Sequence, residues 1–137
     1  MAVLVDSSTF VRAERLHLSP AEVGALSSGD RMAIAAITAS ELLVGVYRSR
    51  HLAYRVQRER FVRWILESFP SLPFDLTVAE VYAQLWANLA ESGSLIAAHD
   101  LIIAATAVAH GYSVLTENVA HFRTVPGLDV RQPRWTP

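Results

Sequence analysis

The run Ala97-Ala98-His99-Asp100-Leu101-Ile102-Ile103-Ala104-Ala105-Thr106-Ala107-Val108-Ala109-His110-Gly111 constrains the fold most, because it reads as an apolar helix with one acid at its mouth. Leu101, Ala104, Ala105 and Val108 recur at helical spacing, and Ile102, Ile103, Ala107 and Ala109 fill most of the remaining circumference. A helix apolar on nearly every side has to be buried, and its alanines let neighbouring backbones come close. Gly111 reads as the glycine that ends it, and Tyr112 to Thr116 as a short buried strand. Asp100 therefore falls in the first helical turn. Unpaired N–H groups and the helix dipole favour an anion there by roughly 0.3–1 kcal/mol, so a single carboxylate needs no other explanation.

The rest of the chain alternates short apolar runs with helices. Ala2 to Val5 is of strand type and meets helix-cap chemistry at Asp6-Ser7-Ser8-Thr9, after which Phe10, Val11 and Ala13 continue a helix. Ser19, Pro20 and Glu22 have the N-cap, N1 and N3 pattern of a second start. Met32 to Ile37 is the next strand candidate, and Thr38 with Glu41 has capping-box spacing before a helix through Leu42, Leu43, Val46 and Tyr47. A turn and a long amphipathic helix follow from Arg48 to Phe69, closed by Pro70-Ser71-Leu72-Pro73. Phe74 to Leu76 reads as extended, with Thr77 capping a helix that has Glu80 at N3 and Val81, Tyr82, Leu85, Trp86 and Leu89 on its apolar face. One helical turn is expected in Glu117 to Arg123, a last strand at Leu128 to Val130, and an irregular tail over 131–137. Such alternation predicts an α/β fold with a parallel sheet, helices on both faces and ligands at the carboxyl ends of the strands.

The 137 residues fit one domain able to bury a core without staples, and the chain has no cysteine, which suits a reducing compartment. Met1 to Val5 lacks the basic start of a signal peptide, and the apolar stretch from Leu101 to Ala109 is about half of a membrane span. The expected location is cytoplasmic. All 12 basic side chains are arginine. The lack of lysine argues against a Walker A loop, which places one on the phosphates, and against a receiver-type phosphoacceptor site. Arg48, Arg50, Arg55, Arg58, Arg60 and Arg63 crowd the amphipathic helical region; two readings stay open for them, a solvated face and a phosphate-tracking surface.

Asp6 ends the first strand, Glu41 follows the second, Asp100 opens the buried helix, and Thr116 and Asn118 end the strand after it. All fall at strand-to-helix positions, where an open α/β sheet gathers its site. Carboxylates within about 4 Å of each other repel by roughly 4 kcal/mol at an effective dielectric near 20. With no lysine, and no arginine in these motifs, a divalent cation with oxygen ligands is the economical counter-charge, and hard oxygen donors point to Mg²⁺ or Mn²⁺. His17, His51, His99, His110 and His121 lack paired ligand spacing and read as structural or solvated.

Four pieces, Val5-Asp6-Ser7-Ser8, Ala39-Ser40-Glu41-Leu42 with Gly45, His99-Asp100 through Ala107, and Leu115-Thr116-Glu117-Asn118 continuing to His121-Phe122 and Val125-Pro126-Gly127-Leu128, stand in one order along nearly the whole chain. In these the sequence resembles the PIN-domain toxins of bacterial toxin–antitoxin modules, the VapC type. The resemblance implies a three-layer α/β/α fold with a short, mostly parallel sheet and an acidic site at its carboxyl edge. It further implies a Mg²⁺- or Mn²⁺-dependent ribonuclease acting on single-stranded or loop RNA, a homodimer, and a VapB-like antitoxin that holds it inactive. By position Asp6, Glu41 and Asp100 correspond to the acidic metal set and Thr116 to the hydroxyl beside it. Asn118 stands where many relatives have a fourth acid, which leaves one ion or two open, and Glu117 is expected to point elsewhere.

Two other readings compete. A metal-dependent phosphohydrolase of the haloacid dehalogenase kind wants a second Asp two residues after Asp6, where Ser8 stands, and a lysine. A binding-only module would keep the fold without needing all three acids. The exposed side of the Tyr54 to Phe69 helix, with Trp64 off its main stripe, is the expected docking surface for an antitoxin's apolar segment, against the plainer reading of Trp64 as a core-facing ring.

Overall fold

The structure is a computed structural model and describes residues 1–135; the last two positions of the expected tail lie outside the described residues. Strand β1 (Ala2–Val5) leads directly into helix α1 (Ser7–Arg15), followed by α2 (Pro20–Gly24) and a short 3-10 turn over Ala25–Ser27. Strand β2 (Arg31–Ala35), helix α3 (Ala36–Arg48), helix α4 (Leu52–Ser68) and strand β3 (Ser71–Leu72) come next. Helices α5 (Leu76–Glu91) and α6 (Ala98–His110), strand β4 (Ser113–Leu115), the one-turn α7 (Val119–Phe122) and strand β5 (Val130–Arg131) complete the described chain.

All strand pairings are parallel, in the order β3-β2-β1-β4-β5. Alternation along each strand decides which layer it feeds. Leu4, Ala33, Ala35 and Val114 face a core filled by α5, α6 and α7, whereas Val3, Val5, Met32, Ile34 and Leu115 face one filled by α1 to α4. The result is the expected three layers. Helix α6 is buried from Leu101 and Ile103 to Ala107, and Gly111 ends it at φ +70, which a side chain rarely tolerates.

Several local starts differ from expectation. Thr38 is not an N-cap: β2 stops at Ala35 rather than Ile37 and the helix begins at once, which leaves Thr38 in the third helical position. Thr77 does not cap α5 either, because Asp75 lies upstream in extended conformation and its carboxylate accepts the Val78 N–H at 3.0 Å. That cap draws Leu76 into the helix, so the extended segment there becomes β3 at Ser71–Leu72, paired with Ile34 and Ala35. The last strand sits at Val130–Arg131 instead of 128–130, where Asp129 and Arg131 carbonyls meet the Val114 and Thr116 N–H groups.

Displacing Thr38 from the cap has an energetic consequence. Its side chain is fully buried and Oγ1 has no hydrogen-bond partner among the described residues. Thr38→Val keeps the shape and removes an unpaired hydroxyl, so it is expected to stabilise the fold by about 1 kcal/mol and to raise Tm by a few degrees. A lowered Tm would mean that the hydroxyl is satisfied.

Candidate active site

The order of strands reverses at β1: the chain moves outward from it to β2 and β3, then returns to its other side for β4 and β5. A crevice opens at the carboxyl ends of the strands at such a switch point. Register places Val5 opposite Leu115, so Asp6 and Thr116 leave the sheet side by side, and the Asp6 N–H donates to the Leu115 carbonyl at 2.9 Å. Asp6, Ser8, Glu41, Asp100, Glu117, Asn118 and His121 line one cleft there, together with Arg12 and Arg15.

Asp6 occupies the N-cap position of α1, yet its side chain makes no capping bond. The residue is only 3 % exposed, and its carboxylate turns to the neighbouring strand end instead, where Oδ2 accepts from Thr116 Oγ1 at 2.8 Å and from Ser8 Oγ at 2.9 Å. Each hydroxyl has one proton, so once both are donated to Asp6 the 3.3 Å contact between Ser8 and Thr116 carries none. Both hydroxyls in turn accept from backbone: Ser8 from the Glu117 N–H at 3.2 Å, and Thr116 from the Asn118 N–H at 2.9 Å. The turn over residues 116–118 is thereby tied to Asp6, which fixes the rotamer of one carboxylate oxygen.

Asp100 projects from the first turn of α6. Burial raises its carboxyl pKa first, and the negative charge of Asp6 raises it further, against the lowering effect of His121 and His99. His121 Nδ1 stands 3.2 Å from Asp100 Oδ2, and His99 Nδ1 stands 3.3 Å from Glu41 Oε2. The second oxygen of Glu41 is buried without a hydrogen-bond partner among the described residues.

Thus the fold brings Asp6, Glu41, Asp100, Thr116 and Asn118 to one place. The histidines His99 and His121 are half exposed, as solvated residues would be, but they also contact two of the acids, which their sequence spacing did not suggest. Glu117 lines the cleft while its carboxylate is occupied by Arg12 at 2.9 Å and by the Trp135 indole N–H. The arginines of the cleft were also missed. They come from α1, where Ser8, Arg12 and Arg15 share one face by their spacing of four and three, a signal present in the sequence. None of the six arginines between Arg48 and Arg63 lines this cleft. Arg58 is taken by Glu14 at 3.1 Å and the Gly45 carbonyl, and Arg63 by Glu59 and Tyr47. Trp64 stacks near Phe61 and meets Phe69 edge-on, so it belongs largely to the core.

The family model of the PIN domain matches residues 3–128. Ribonuclease VapC of Rickettsia bellii is 36 % identical over 130 residues, covering 95 % of each chain. A tRNA(fMet)-specific endonuclease VapC of Salmonella typhimurium is 31 % identical over 104 residues, covering 73 % of this chain and 74 % of its own. Among solved structures, VapBC-5 from Mycobacterium tuberculosis, a member of the VapBC family of toxin–antitoxin systems, superposes with a TM-score of 0.75 at 29 % identity over 97 % of this chain and 98 % of its own. With that likeness running through nearly the whole chain, the chain belongs to the PIN-domain family, among its VapC ribonucleases.

Proposed function

We propose that this chain is a divalent-metal-dependent endoribonuclease, the toxin of a toxin–antitoxin pair, with Asp6, Glu41 and Asp100 as its metal-binding carboxylates. The observation that carries this reading is an anionic cleft short of positive charge. Asp100 is pushed toward its protonated form by burial and by Asp6, and Glu41 buries an oxygen that no described donor meets. A cation with oxygen ligands answers both, and these are hard donors of the kind Mg²⁺ and Mn²⁺ take. Among the described residues no trio of His, Asp and Glu side chains is already arranged to hold a metal ion. Side-chain rotations of Glu41 and Asp100 toward Asp6 are therefore part of the reading.

When bound, the ion would polarise the scissile phosphate and make the attacking water more acidic. The protein's own share is positional. Ser8 and Thr116 hold Asp6 in one rotamer, and Glu41 or Asp6 takes the proton of the attacking water. Asn118 offers an amide oxygen without charge, which favours one well-held ion over two. Arg12 and Arg15 flank the acids and take neighbouring RNA phosphates. The apolar residues that α4 leaves exposed, Leu52, Tyr54 and Val56, are where an antitoxin segment would dock, in place of the surface expected around Trp64. Among the described residues no helix is long and apolar enough to cross a membrane.

The test is incubation of the antitoxin-free chain with structured RNA, tRNA included, in Mg²⁺, in Mn²⁺ and in chelator, beside Asp100→Asn. Expected is cleavage that needs metal and is lost in the variant. Cleavage that survives chelation overturns the metal scheme, and absence of cleavage by the folded chain favours the binding-only reading. The variant has a second readout. Because the fold raises the Asp100 pKa, its charge costs stability near neutral pH, and that cost disappears as pH falls through the raised pKa. In chelator at about pH 7 Asp100→Asn is expected to melt above the parent, with the gap closing toward about pH 4 as the parent protonates.

A further inference from the structure

After β5 the chain turns back along the first half of the fold. The Arg134 N–H donates to the Leu26 carbonyl at 3.1 Å, Pro133 is buried, and the Trp135 ring packs against the core shared by α1 to α4. This course brings Trp135 to the rim of the acidic cleft. The Arg12 guanidinium carbon lies 4.7 Å from the centre of the Trp135 ring, and the indole N–H donates to Glu117 Oε1 while Arg12 Nη1 bonds Glu117 Oε2 at 2.9 Å. Arginine, carboxylate and indole thus form a closed triangle, each holding the other two.

Exposed ion pairs are loose, because two long side chains must be ordered to make them. Here the ring restrains the guanidinium on its face and Glu117 restrains it on one edge. Arginine has five N–H donors, and the one side-chain hydrogen bond that Arg12 makes among the described residues uses Nη1. The side chain is 48 % exposed and lines the cleft beside Asp6 and Asp100. The acids repel a polyanion, and among the described residues only Arg12 and Arg15 line the cleft with permanently positive side chains to offset that. Glu117 cannot swing inward to join the acids while Arg12 and Trp135 occupy both of its oxygens.

We propose that Trp135 is a positioning residue for RNA: with Glu117 it holds Arg12 at the rim so that the arginine's free edge takes a phosphate of single-stranded RNA beside the acids. This rests on the nuclease reading above. It also assigns a part in RNA binding to Trp135, which lies outside all four motif pieces in sequence.

The test measures binding of a fluorescently labelled, mixed-sequence single-stranded RNA of about 20 nucleotides to full-length chain, in an Asp100→Asn background and over a range of salt. Trp135→Leu keeps an apolar side chain and removes the ring face and the N–H; Trp135→Phe keeps a ring. Expected for Trp135→Leu is binding weakened roughly fivefold, with the slope of log affinity against log salt reduced by about 0.7, the loss of one phosphate contact. Arg12→Ala is expected to match it, the double variant to bind no worse than Arg12→Ala, and Trp135→Phe to recover most of the loss. A Trp135→Leu protein that binds like its parent overturns the proposal, as do losses that multiply in the double variant. So does weakened binding with an unchanged salt slope, which would report only a structural role. If the parent cleaves RNA and these variants bind RNA as the parent does, this proposal alone fails; if the parent neither binds nor cleaves RNA, the nuclease reading fails with it.

Discussion

Replacing Asp6 by asparagine is expected to lower kcat/KM for RNA by about a thousandfold, close to 4 kcal/mol of transition-state stabilisation, while the protein still folds. The size follows from where the charge sits. Asp6 is almost wholly buried at the end of the central strand, and Thr116 and Ser8 both spend their only proton on one of its oxygens. An asparagine oxygen can accept the same two bonds, so the packing survives, but the negative charge that a cation would meet is gone. Removing a single supporting hydroxyl instead, as in Thr116→Val, leaves the charge and loosens its aim, for which about 10- to 100-fold is the usual range. The measurement is single-turnover cleavage at saturating metal. Asp6→Asn activity within a few-fold of the parent would remove Asp6 from the metal set and with it the proposed architecture of the site.

Phe10→Ala is expected to destabilise the fold by about 3–5 kcal/mol. Phe10 is fully buried, stacks on Phe69 with ring centres 6.0 Å apart, and joins α1 to a core built from Val3, Val5, Ile34 and Ile65. Few atoms are free to collapse into the space an alanine would leave, because strand, helix and ring meet there from three sides. Domains of this kind have about 5–15 kcal/mol in total, so the variant stands near the edge of folding. Urea unfolding should show a much lower midpoint with an unchanged slope. A loss below about 1 kcal/mol would mean that α1 is not anchored as described, and since α1 carries Ser8, Arg12 and Arg15, the site would have to be redrawn too.

The accuracy of the sequence reading varies with the range of the interaction involved. Ser19, Pro20 and Glu22 form the capping box their spacing announces, with reciprocal bonds of 3.2 and 3.0 Å, because every partner lies within one turn. Thr38 with Glu41, and Thr77 with Glu80, have the same spacing and do not cap. In the first case the helix starts as soon as β2 stops pairing with its neighbours; in the second Asp75, two residues earlier, accepts the Val78 N–H. Cap chemistry permits several starts, and the strand ends choose among them. The bounds of the two short strands β3 and β5 escape local patterning because two residues carry no periodicity; they are set by pairing with Ile34, Ala35, Val114 and Leu115.

The sequence by itself determined the α/β alternation, the buried helix α6 with its acid in the first turn, and the presence of Asp6, Glu41, Asp100, Thr116 and Asn118 at the ends of elements. Each of these depends on hydrophobic period or on neighbours within a few residues, and such information is written locally. Only the tertiary structure decided that β4 returns to the far side of β1 and so sets Thr116 against Asp6 at the cleft, that His99 and His121 stand against Glu41 and Asp100, and that Arg12, Glu117 and Trp135 close on one another at the rim. Those contacts join residues far apart along the chain through side chains whose spacing in sequence says nothing of their distance, and they form when two packed layers bring the strand ends to one edge.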